Sequence, residues 1–123
     1  MVVDSSVFIQ HLRAKDKTTT HLSNLPDSSA LFVSSVTVFE LYCGAVDSKK
    51  KQDVDLLLSG IVILPLDHTV ASKAAEIYRD LRVKAQMIEI NDMFIAASAL
   101  VFNLPVKTLN ARHFTRIQGL EVI

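Results

Sequence analysis

Cysteine and glycine are scarce in this chain, and each scarcity removes a class of function. Cys43 is the single cysteine among 123 residues. No disulfide framework and no CxxC metal site can form, and a reducing cytosol is the expected compartment. The three glycines do not cluster, so they cannot build the phosphate-cradling loops of a Rossmann or P-loop protein. Charge of either sign is also lacking in excess: 13 basic residues face 13 acidic ones. No global field attracts nucleic acid or membrane, and any anionic partner must be held by a local patch. No apolar run approaches the length of a membrane span. Asp4 follows only two valines after Met1, unlike the apolar core of a signal peptide.

What is present is apolar sequence with little proline or glycine, half of it hydrophobic, which excludes a disordered or fibrous chain. The length suits one domain, residues 1–123, with a core that needs no disulfide or structural metal. Met1 to Val3 reads as a buried strand ending at Asp4, with a helix beginning at Ser5 and Ser6. A loop from Arg13 to Lys17 and a short helix from Thr18 to Leu25 follow, then a strand at Ala30 to Val33. Ser34 to Val46 reads as a helix, and Asp47 to Ser59 as an amphipathic helix stopped by Gly60. Ile61 to Leu64 has the β-branched content of a buried strand. From Asp67 to about Gln86, Val70, Ala74, Ile77 and Leu81 recur at helical spacing. Ile90 to Leu100 predicts a buried helix starting on Asn91 or Asp92, apolar on nearly all sides. Its alanines, Ala96, Ala97 and Ala99, allow a neighbouring backbone to come close. A strand at Leu104 to Val106, a helical turn at Ala111 to Phe114 and a last strand at Leu120 to Ile123 complete the order.

Strands that alternate with helices and read as continuous apolar runs predict an α/β fold. Its mainly parallel sheet would have about four to five short strands, covered by helices on both faces. Sites in such sheets form outside the carboxyl ends of the strands. Asp4 stands at one such end; Thr108 and Asn110 stand at another.

Three acids interrupt apolar sequence: Asp4, Glu40 and Asp92. Glu40 shares a helical stripe with Val36, Cys43 and Gly44, which places it towards the interior. A buried carboxylate has to be paired, protonated or bound to a cation. Each acid also has a plainer reading. Asp4 can cap the helix after it, Asp92 can face its own helix dipole, and Thr37-x-x-Glu40 has the spacing of a capping box. Three capping acids converging on one sheet edge would repel, and a shared divalent cation resolves that repulsion. Oxygen ligands suit Mg²⁺ or Mn²⁺, and the His/Cys spacing of a zinc site is absent. An aspartyl-phosphate phosphatase would need an acid two residues after Asp4, where Ser6 stands.

Taken in order, Val-Val-Asp4-Ser-Ser-Val, Glu40-Leu-Tyr-x-Gly44, Asn91-Asp92-x-x-Ile-Ala-Ala and Thr108-x-Asn110-x-x-His113-Phe114 resemble the PIN domain pattern. The resemblance is to the small VapC-type toxins of prokaryotic toxin–antitoxin pairs, and it spans essentially the whole chain. It implies a metal-dependent ribonuclease, usually a homodimer, held inactive by an antitoxin and leaving 5′-phosphate and 3′-hydroxyl ends. On this resemblance Asp4, Glu40 and Asp92 are metal-binding acids and Ser6 orients the first. Thr108 and Asn110 line the same pocket. Many members carry a fourth acid in the last motif, where this chain has only Asn110 and His113. His113 is then a phosphate donor, a metal ligand or a residue packed on a surface turn, and Glu89 is a replacement acid or a solvated loop residue. The missing acid also leaves open a degenerate PIN-like module that binds RNA or a protein without cutting. RNA would be steered by a local basic surface, for which Lys49 to Lys51, Arg79 with Arg82, and Arg112 with Arg116 are candidates. The last pair is nearest the site in sequence, and the lysine run reads as a solvated helix face.

Overall fold

Two adjacent valines set the layering of the molecule. In the computed structural model, which describes residues 1–123, Val2 and Val3 form strand β1 (Val2–Val3) at the centre of the sheet. Successive side chains of a strand point to opposite faces. Val2 accordingly belongs to one hydrophobic cluster and Val3 to another, and both are fully buried. From β1 the chain runs through α1 (Ser5–Arg13), β2 (Phe32–Ser34), α2 (Ser35–Cys43), α3 (Ser48–Leu58) and β3 (Val62–Leu64). It continues through α4 (His68–Val83), α5 (Ile90–Val101), β4 (Val106–Lys107) and α6 (Ala111–Phe114). The four strands are all parallel, in the order β3-β2-β1-β4. The expected α/β fold with a parallel sheet between helices is therefore what the chain forms.

The cluster around Val3 gathers Val7 and Phe8 of α1, Leu41 of α2, and Val54 and Leu58 of α3. The cluster around Val2 gathers the apolar stripe of α4, most of α5, and Phe114 and Ile117. Helix α5 buries Met93, Ile95, Ala96, Ala97, Ser98 and Ala99. Its small residues let α4 pack closely along it.

Several boundaries differ from the sequence reading. Residues 18–25 form a succession of turns, not a helix. Their polar side chains take over the local backbone donors: Asp16 accepts from the Thr18 N–H at 2.9 Å, and the Thr20 hydroxyl accepts from the Ser23 N–H at 3.2 Å. Strand β3 lies at the sheet edge, so only Leu64 is buried while Val62 and Ile63 are half exposed. The last strand reduces to one bridge, Val106 to Val122. Helix α2 turns Thr37 and Leu41 inward and leaves Cys43 and Gly44 exposed, so Glu40 sits at the margin of the interior. Helix α5 starts at Ile90, with Glu89 in the cap position.

Helices α4 and α5 end in the same way. The Gln86 N–H donates to the Leu81 carbonyl at 2.9 Å, and the Leu104 N–H to the Ala99 carbonyl at 2.8 Å. The residues between adopt positive φ, 53° at Ala85 and 55° at Asn103. Glycine is the usual residue there, and asparagine tolerates it better than alanine. Replacing Ala85 by Gly relieves the left-handed strain and loosens the unfolded chain. The net expected gain is about 0.5–1 kcal/mol in chemical denaturation. A loss of stability in Ala85→Gly would show that the left-handed turn is not held in solution.

Candidate active site

The strand order brings two carboxyl ends side by side. After β1 the chain crosses to β2 on one side, whereas β4 docks on the other, so the ends of β1 and β4 border a crevice. Asp4 follows β1 and Thr108 follows β4. Asp4 is only 1% exposed, and its carboxylate is held by hydroxyls from both ends. Ser6 donates to Oδ2 at 2.7 Å and Thr108 donates to the same oxygen at 2.8 Å. These hydroxyls are fixed in turn. The Leu109 N–H donates to Ser6 Oγ at 3.1 Å and the Asn110 N–H to Thr108 Oγ1 at 2.9 Å. Asp4 occupies the cap position of α1 but makes no side-chain capping bond.

The other two acids do not cap either. Helix α2 is capped by the Ser34 hydroxyl, which accepts from the Val36 N–H at 3.2 Å, and Thr37 lies buried inside the helix. That removes the capping-box reading of Glu40. Its Oε1 instead accepts from the Ser5 hydroxyl at 3.2 Å, and Ser5 also reaches Asp4 Oδ1 at 3.3 Å. The Asn91 side chain lies close enough to Glu40 to favour its ionised form. Asp92 lies in the first turn of α5. Its Oδ2 is 3.0 Å from His113 Nδ1 on α6, with 13% of the Asp92 side chain exposed.

Burial, then the neighbouring charges of Asp4 and Asp92, raises the Glu40 pKa above the usual carboxylate value; the Ser5 bond and the nearby Asn91 side chain oppose the rise. Asp92 is raised as well, first by burial and then by Asp4 and Glu89, against the opposing contact with His113. Both shifts register the same condition: several carboxyl oxygens share a half-buried crevice, and no lysine or arginine is paired to them. No three His, Cys, Asp or Glu side chains stand close enough to enclose a metal ion as they are placed. The donor chemistry nonetheless fits a hard divalent cation, since the three acids offer only oxygen ligands and bring negative charge together.

The structure thus brings Asp4, Glu40, Asp92, Ser6, Thr108 and His113 to one crevice, with the Asn110 backbone supporting Thr108. Asn110's own side chain is in an exposed position. Arg112 is exposed on α6. Arg116 is engaged elsewhere, its Nη1 donating to the Met87 carbonyl at 3.0 Å and the Gln86 carbonyl at 3.5 Å. Ser5 and Asn91 are read from sequence only as helix starts, with no role at the acids. Each adjoins a singled-out acid, but the approach of α2, which gives both a partner in Glu40, is a tertiary fact.

Two expectations follow from this geometry. Thr108→Val removes a donor from a buried carboxylate and leaves the Asn110 N–H without its acceptor. It should cost about 1–3 kcal/mol in denaturant unfolding, whereas Thr108→Ser keeps both bonds and stays close to the parent. The second concerns pH. A carboxyl whose pKa is raised by folding binds its proton more tightly in the folded state, so its ionisation destabilises the fold as pH rises past the unfolded value. Glu40→Gln should therefore be more stable than the parent at neutral pH in chelator, with the difference closing at acid pH. Equal unfolding midpoints at neutral pH would refute the strain assigned to Glu40.

Comparison with known proteins identifies the family. The PIN domain family model matches residues 1–120. Ribonuclease VapC10 of Mycobacterium tuberculosis is 31% identical over 121 residues, covering 98% of this chain and 90% of that one. Ribonuclease VapC1 of Methanocaldococcus jannaschii is 26% identical, covering 99% and 85%. Among solved structures, DNA-bound VapBC from Salmonella typhimurium superposes with a TM-score of 0.87 at 28% identity, covering 99% of this chain and 95% of that chain. Family model, full-length relatives and fold coincide on the same residues, and the chain belongs to the PIN domain family, in its VapC group.

Proposed function

We propose that this chain is a metal-dependent endoribonuclease, the toxin of a toxin–antitoxin pair, hydrolysing RNA phosphodiester bonds at the Asp4 crevice. The observation that carries the reading is the buried Asp4 carboxylate, held by Ser6 and Thr108 and faced by two acids whose ionisation the fold disfavours. A cap or a surface acid needs neither that burial nor that company. The similarity to proteins named ribonuclease supports the reaction class. The similarity to a VapBC structure supports a cognate antitoxin as partner.

Asp4, Glu40 and Asp92 would hold Mg²⁺ or Mn²⁺. Such an ion supplies water activation at neutral pH and charge neutralisation at the phosphate. The chain's own part is positional. Ser6 and Thr108 fix the orientation of Asp4, Ser5 spans Asp4 and Glu40, Asn91 steadies Glu40, and His113 holds Asp92. In this chain His113 and the Asn110 turn occupy the stretch where the resemblance to the PIN pattern implies a fourth acid. The two acids with raised pKa values gain most from an added cation, because it relieves the repulsion that burial has sharpened.

The test is cleavage of structured RNA with Mg²⁺ or Mn²⁺, against chelator and Asp92→Asn controls, together with thermal unfolding of the same samples. The parent should cleave only with metal and should be stabilised by it; an ion at about a hundred times its Kd adds about 2.7 kcal/mol. Asp92→Asn should fold, lose cleavage and lose most of that stabilisation. A folded parent that binds RNA but neither cuts it nor responds to metal would make the chain a non-cleaving RNA-binding module.

A further inference from the structure

Glu40 has a second face. Away from Asp4 it forms part of the wall of a cavity of about 340 Å³ between α1, α2 and α3. Ile9, Leu12 and Ala45 supply the cavity's open apolar surface, and Leu41 and Val54, both buried, complete its apolar lining. Arg13, the last residue of α1, and Lys50, in the first turn of α3, also line it. Neither cation takes part in a salt bridge or a side-chain hydrogen bond. Asp53, the other acid of the lining, is paired to Lys49 at 2.6 Å. The pocket therefore presents apolar surface, two unpaired cations, and a wall shared with the acid crevice.

We propose that this pocket is a nucleotide subsite of the substrate: a ribonucleotide flanking the cleaved bond lays its base on the apolar surface while Arg13 and Lys50 take an adjacent phosphate. The inference rests on the ribonuclease reading and adds where the strand runs. An RNA strand crossing the acid crevice meets concentrated negative charge there, so its flanking phosphates need cations nearby. The chain's balanced total charge supplies none without a local pair. Arg116, a candidate by proximity in sequence, is tied to the Gln86 and Met87 carbonyls. Arg13 and Lys50 are free and share a pocket with Glu40. The volume lies within the range of small-ligand pockets, about 300–1,000 Å³, and a base offers the flat apolar face that such a surface accepts. Of the lysine run that read as a solvated helix face, only Lys50 lines the pocket.

The test uses the whole chain in chelator, where nothing is cut, with a fluorescent single-stranded RNA of about ten nucleotides. Arg13→Gln with Lys50→Gln should weaken binding about tenfold. The double variant should also flatten the dependence of log Kd on log salt by about 0.7, the share of the one phosphate contact the pair makes on a single strand. Gly44 lines the same pocket with an ordinary backbone, and a Cβ there meets nothing closer than 3.7 Å. Gly44→Phe should therefore fold, narrow the pocket and weaken binding with the salt slope unchanged. In methyl NMR spectra the RNA should shift Ile9, Leu12 and Val54.

An unchanged Kd and slope in the double variant would overturn the subsite. So would methyl shifts produced by a co-expressed antitoxin and not by RNA, which would assign the pocket to a polypeptide. If the parent cuts RNA with metal and the double variant cuts it at the same KM, the subsite fails and the nuclease reading stands. If RNA binding depends on Arg13 and Lys50 but no metal brings cleavage, the subsite stands and the nuclease reading fails.

Discussion

The structure depends on one constraint: a carboxylate that is 1% exposed has to be satisfied from within the protein. Asp4 meets it with hydroxyls contributed just past the ends of two different strands, Ser6 at the start of α1 after β1 and Thr108 after β4. Those bonds can form only if β1 and β4 are adjacent and in parallel register, Val2 beside Val106 and Val3 beside Lys107. The order β3-β2-β1-β4 is therefore what closes the coordination of Asp4, and Asp4 in turn ties the ends of β1 and β4 together. A short central strand can carry this role because both its faces are covered by separate apolar clusters.

Around that anchor the fold holds negative charges close together. Helix α2 presents Glu40 and helix α5 presents Asp92, each from a position that burial makes unfavourable for an ionised acid. The fold tolerates this because other side chains carry part of the load: the Ser5 hydroxyl at Glu40, and the imidazole of His113 at Asp92. No arginine or lysine enters the crevice to form an ion pair. Such a pairing would remove the unbalanced charge on which the proposed cation site depends.

Much of the architecture was legible in residue order. Continuous apolar runs alternating with helical spacing indicate a parallel sheet covered on both faces, and an acid at the end of the first run marks the sheet edge where a site forms. The errors share one cause, which is that sequence does not show an element's neighbours. Val62 and Ile63 have the composition of a central strand, but their strand pairs on one side only. Cys43 and Gly44 sit at the right helical offset from Glu40, but the neighbouring elements pack against Thr37 and Leu41. The Thr18–Leu25 stretch has helix-compatible spacing, but its threonines and serines bond to local backbone groups and form turns. The contributions of Ser5 and Asn91 were hidden for the same reason, since both depend on where α2 comes to rest.

The C-terminal segment holds the start of α5 at two places. His113 contacts Asp92 in the first turn of the helix, and Arg116 grips the carbonyls of Gln86 and Met87 just before it. One short stretch thus spans the hinge through which the chain turns from α4 into α5, in the manner of a splint. Damage to this peripheral stretch would be felt at the mouth of α5, because a carboxylate at a helix entrance keeps its aim only while the backbone on both sides of it is braced. The tail of the chain is, mechanically, part of the crevice.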